Sequence, residues 1–142
     1  MIFTGDRRQM RDFFRAAWHK RQRGEALQPL EELIASVIAD HPEYHPYLES
    51  EQELELDFAP ESGATNPFLH MGMHIAIREQ VATDRPSGIA AVHQSLRRKF
   101  ANAGDAEHRM MECLGESLWR AQRDNRLPDE NAYLDCLQRL RR

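Results

Sequence analysis

The 142 residues of this chain are 41% hydrophobic and 30% charged, with a formal net charge of −4, which fits one folded domain over 1–142 and excludes a disordered tail. No stretch approaches the ~20 apolar residues of a membrane span, and the opening MIFTGDRRQMRDFFRAAW lacks the apolar core and cleavage site of a secretory leader. The two cysteines, Cys113 and Cys136, are far apart with no Cys-x-x-Cys partner; they read as buried thiols, exclude a disulfide framework and point to a reducing, cytoplasmic location.

The pattern is helical almost throughout. Met10, Phe13, Phe14, Ala17 and Trp18 fall at i, i+3, i+4, i+7 and i+8, one apolar stripe at the helical period. Thr4 or Asp6 can cap this helix and Gly24 can end it. A second stripe, Leu30, Leu33, Ile34, Val37 and Ile38, follows Pro29 and should stop near Asp40, because His41 precedes Pro42. His41 and His45 are four apart, but Pro46 argues against a continuous helix through both, so the spacing does not imply a shared face. Residues 47–65 read as an acidic loop with at most a helical turn, and Leu54, Leu56 and Phe58 alternate within it.

Asn66 and Pro67 open the third long helix, FLHMGMHIAIREQVA, in which Phe68, Leu69, Met71, Met73, Ile75, Ile77 and Val81 surround the axis. A helix apolar on every side belongs at the centre of a bundle, so the segment 66–82 is predicted to be buried. Asp84 or Ser87 caps the next helix, with Ile89, Val92, Leu96 and Phe100 inward and His93 at the stripe's edge. Asn102 and Gly104 are expected to end it. Asp105 is expected to cap a fifth helix with Met110, Leu114, Leu118 and Ala121 as its core face. Pro128 and Asp129 start a last helix with Tyr133, Leu137 and Leu140 inward. The prediction is an all-α bundle of about six helices.

Charge is segregated along this order. Residues 1–24 carry seven bases and two acids, residues 25–77 eleven acids and no Lys or Arg, and residues 78–142 twelve bases and ten acids. A basic opening helix beside an acidic middle suggests internal complementarity. Nucleic-acid association through Arg7, Arg8, Arg11 and Arg15 is disfavoured, since one arginine-rich helix with its aromatics committed to a core is a thin signal. An unidentified protein partner or a homo-oligomer fits the composition; a membrane does not.

The chemistry rests on histidines. His70 and His74 are i and i+4 on an apolar helix, so their rings stack on one face within reach of one ion. Buried imidazoles need a hydrogen bond, a carboxylate or a metal. Met71 takes the place of the glutamate in His-Glu-x-x-His, so no zinc-protease chemistry follows. His108 and Glu112 form a second i, i+4 pair, with Glu107 and Glu116 nearby. His108 placed in a first helical turn would be held neutral by the helix dipole. The predicted metal ligands are His70, His74, His108 and Glu112, with Glu79 and His93 as outer orienters or spare ligands, and the ion would be zinc or non-haem iron. These pairs are similar in kind to those of hemerythrin-like bundles, but order and remaining ligands differ, so no iron centre carries over. The competing reading is a metal-free interaction module whose histidines are core hydrogen-bonders. No nucleophile elbow or phosphate-cradling loop is present, and neither an activity nor a substrate is legible.

At NPFLHMGMHIAIREQ (Asn66–Gln80), DRPSGI (Asp84–Ile89) and EHRMMECLGESLWRAQR (Glu107–Arg123) the chain resembles domain of unknown function family 1841. The resemblance spans nearly the whole chain. It implies a small cytoplasmic bacterial protein and places His70, His74, His108 and Glu112 in recurring blocks. It implies no activity, substrate or catalytic residue.

Overall fold

The structure is a computed structural model that describes residues 7–49 and 67–142. It is all-α, as expected. The described helices are α1 (Arg7–Gln22), α2 (Pro29–Ala39), α3 (His45–Glu49), α4 (Pro67–Thr83), α5 (Ile89–Lys99), α6 (Ala103–Arg123) and α7 (Glu130–Leu140), with a 3₁₀ turn at Pro42–Tyr44. The expected caps at Thr4, Asp6 and Asn66, and the alternation at Leu54, Leu56 and Phe58, lie outside the described residues. The chain divides into two compact units, Met1–Ile75 and Ala76–Arg142, and α4 contributes its first half to one and its second half to the other.

In the first unit, Phe14, Ala17 and Trp18 of α1 pack with Ile34, Val37 and Ile38 of α2, Leu48 of α3 and Phe68, Met71 and Ile75 of α4. The α1 stripe is rotated from the predicted one. Phe13 is 42% exposed, whereas Arg11 is 4% exposed with its guanidinium over the Phe68 ring. A planar cation on an aromatic face needs less water than an ammonium would, which is why an arginine can occupy this position. Charge complementarity between the first two helices is direct: Lys20 donates to the buried carboxylate of Glu31 at 2.8 Å. That bond, followed by one from the Gln28 backbone N–H, holds the Glu31 carboxyl below its ordinary range. The segment expected to be a loop begins with the short helix α3, started within the His45-Pro46 pair.

In the second unit, Ile77, Ile89, Val92, Leu96, Met110, Leu114 and Leu137 are buried. Helix α4 is apolar nearly all round, but Leu69 is 49% exposed. Three connections use the same stop signal. Gly24, Asp84 and Asn125 adopt positive φ, and the next residue's N–H reaches back to the helix's last turn: Glu25 to Lys20, Arg85 to Gln80 and Arg126 to Ala121. This is the Schellman arrangement. Asp84 has a second task, since its Oδ1 accepts from the N–H groups of Gly88 and Ala90 and so caps α5. Asp84→Ala loses both bonds and places a Cβ in the left-handed region without side-chain compensation. It is expected to cost about 1–2 kcal/mol, read as a lower denaturant midpoint, and Asp84→Asn should cost less than half of that.

Two features differ from expectation. Asn102 does not end α5; it caps α6, accepting from the Gly104 N–H at 2.7 Å. An asparagine with extended backbone supplies the same acceptor as aspartate, so α6 begins at Ala103, ahead of Asp105. The second correction concerns the cysteines, which are not separate thiols: Cys113 and Cys136 form a disulfide with Cα atoms 5.8 Å apart. Residues 124–129 are a short connection between α6 and α7, which brings sulfurs 23 positions apart in sequence within bonding distance. The inference from cysteine usage to a reducing compartment therefore falls.

Candidate metal centre

His70 and His74 stand one turn apart on α4, as the spacing requires, and their Nε2 atoms are 3.2 Å from each other. His74 is 1% exposed; His70 is half-buried. The ring opposite them is a third imidazole, His41, from the junction where Pro42 ends α2. Its centroid lies 4.7 Å from that of His74 and 5.4 Å from that of His70. One ring nitrogen of each of the three lies within 4.8 Å of the others.

The tautomer of His41 follows from its surroundings. Its Nδ1 donates to the Val37 carbonyl at 2.7 Å, so the Nε2 lone pair is left for a ligand role. That is the usual second bond of a metal-bound histidine. Zinc–nitrogen bonds of about 2.0–2.1 Å in a tetrahedron put ligand nitrogens about 3.3 Å apart. The His70–His74 separation already matches that spacing, and a ring nitrogen of His41 lies within 4.8 Å of both. Tyr44 stacks on His41 at 5.7 Å between centroids and meets His70 edge-on at 6.0 Å, walling one side with apolar ring surface. His45 does not join. Its Nε2 is bonded to the Ile38 carbonyl at 2.8 Å and its ring lies against Trp18.

The other predicted ligands lie in the second unit. His108 and Glu112 are exposed on α6, and Glu112 faces Arg109 at 3.8 Å. Because α6 starts at Ala103, His108 lies in its second turn, where the dipole argument for a neutral ring no longer applies. Glu79 is exposed on α4. Glu107 is buried and forms a two-bond pair with Arg78 at 2.8 and 3.1 Å.

His93 is half-buried with Arg78, Arg97 and Glu107 around a cleft of about 280 Å³. Burial pushes its imidazole below the ordinary 6.5; Glu107 opposes this, and Arg97 and Arg78 add to it. In the window between the folded and unfolded values the unfolded chain binds more protons, so His93 stabilises less as pH falls. Urea unfolding between about pH 7.5 and 5.5 is expected to show a shallower acid decline for His93→Gln than for the wild type.

A family model described as a domain of unknown function (DUF1841) matches residues 6–139. No curated protein and no solved structure matches the chain. Among the described residues, no helix is long and apolar enough to cross a membrane.

Proposed function

We propose that this chain, which belongs to the DUF1841 family over residues 6–139, holds one divalent transition-metal ion, zinc foremost, on His41, His70 and His74. The observation that carries the reading is the convergence of three imidazoles in the first unit, one of them fixed in a ligand-ready tautomer by the Val37 carbonyl. Three neutral nitrogens suit zinc better than non-haem iron, which favours a carboxylate in the set. Zinc on three protein ligands retains a position for water and would supply Lewis-acid chemistry there. The role of the chain's residues is to hold that position: His74 from inside, His70 from the rim, and His41 with the turn of α2 behind it.

Protein made without a His-tag, loaded with zinc and desalted, is expected to retain about one equivalent. His41→Ala and His70→Ala/His74→Ala should lose it while remaining helical by circular dichroism, and His108→Ala/Glu112→Ala should keep it. Wild-type protein that retains no metal after loading sinks the reading.

One observation favours a metal-free interaction module. His41 is bonded to Val37 and His70 to His74, so the rings have protein partners without an ion. In that reading chelator leaves the melting curve unchanged. Nucleic-acid association is weaker still, because Arg11 lies buried against Phe68, where it cannot reach a phosphate.

A further inference from the structure

We propose that the Cys113–Cys136 disulfide is a thiol-exchange site for a small anionic thiol, with Cys136 as the sulfur attacked. The site is in the second unit and does not depend on the metal reading. The bond is not sealed in the core. Both cysteines line a cleft of about 70 Å³; Cys113 is 3% exposed, whereas Cys136 is half-buried. An incoming nucleophile therefore meets Cys136 first.

The cleft wall supplies the selectivity. Arg120, Arg126 and Arg139 line it, against Glu116 and Asp129. Both acids are engaged: Glu116 accepts from Arg120 at 2.7 Å, and Asp129 caps α7 by accepting from the Ala132 N–H at 3.1 Å. Arg139 forms no ion pair among the described residues, and Arg126 reaches Asp124 only at 3.3 Å, with much of its side chain exposed. Two guanidiniums beside an accessible disulfide attract a thiol that also carries carboxylates. They also lower the cost of forming thiolate in the cleft.

The chemistry balances with the thiol as reductant. A thiolate attacks Cys136 Sγ, the Cys113–Cys136 bond breaks, and Cys113 leaves as a thiolate that takes a proton from solvent. The product is a mixed disulfide on Cys136. A second thiolate attacks the ligand's sulfur, releases the oxidised ligand disulfide and leaves the Cys136 thiol. Two thiols lose one electron each, and the protein disulfide gains two.

The test uses folded wild-type protein and glutathione as the probe, with acid quenching, alkylation and peptide mass mapping. A glutathione adduct on Cys136 is expected. Corrected for thiolate fraction, glutathione should react about threefold or more faster than neutral 2-mercaptoethanol at low salt, and Arg126→Gln/Arg139→Gln should remove that advantage. A bond that opens only at the rate of global unfolding makes the disulfide a structural brace and overturns the proposal. So does an adduct confined to Cys113, or equal corrected rates for the two thiols with the wild type.

Discussion

Saturating zinc is expected to raise the unfolding free energy of the wild-type chain by about 3–4 kcal/mol, the linkage value for free metal at 100 to 1,000 times its dissociation constant. Trp18 lies in the unit that carries the histidines and is largely buried. In a Trp119→Phe background its fluorescence should follow that unit's unfolding. His74→Ala should abolish the zinc increment and add a loss of its own, since a side chain that is 1% exposed leaves a cavity when truncated. The control is His45→Ala. That ring is bonded to Ile38 and packed on Trp18, so the variant should be less stable yet keep the full increment. A zinc increment that survives in His74→Ala would place the ion elsewhere.

Glu107→Ala is expected to destabilise the chain by about 3 kcal/mol. Removing one partner of a buried ion pair typically costs 3–5 kcal/mol, because the remaining charge is left without compensation. Here the Glu107 side chain is 6% exposed but that of Arg78 is 24% exposed; water reaches the guanidinium in part, which puts the loss at the lower end. The double variant Arg78→Met/Glu107→Leu should recover most of the loss, since an apolar pair of similar volume carries no desolvation cost. Arg109 and Glu112, 3.8 Å apart on the exposed face of α6, provide the comparison: Glu112→Ala should change stability by about 0.5 kcal/mol or less. Equal losses for the two glutamates would mean that burial does not govern the Arg78 pair.

Hydrophobic period makes every long helix but α4 legible, because each of these buries one face and the stripe repeats every turn or two; α4 stands out instead by being apolar nearly all round. Caps were less legible. Asn102 reads as a stop and serves as a start, since asparagine suits both ends of a helix and only the neighbouring backbone decides which. His70 and His74 are visible in one sequence because a helix converts a spacing of four into one face. His41 is not. It comes from the turn behind α2, and its meeting with α4 is a tertiary event that no local period encodes. The available signal was His41-Pro42, where the proline forces the chain out of α2 and swings the ring off the helix surface. The disulfide is illegible for the same reason, since bonding across the α6–α7 connection leaves no spacing motif. Arg11 shows a further limit: within a basic run, sequence does not distinguish a solvated arginine from one laid on a phenyl ring.

The disulfide closes a stretch of 23 positions in one half of the chain, and an ion on His41, His70 and His74 would close a longer stretch in the other. Either bracket restrains the unfolded ensemble of its own half, and each yields to a different reagent. A chelator would loosen the amino-terminal half and leave the carboxy-terminal bracket fastened, while a reductant would do the opposite. Two orthogonal chemical keys would thus act on one short polypeptide whose two units share the continuous helix α4.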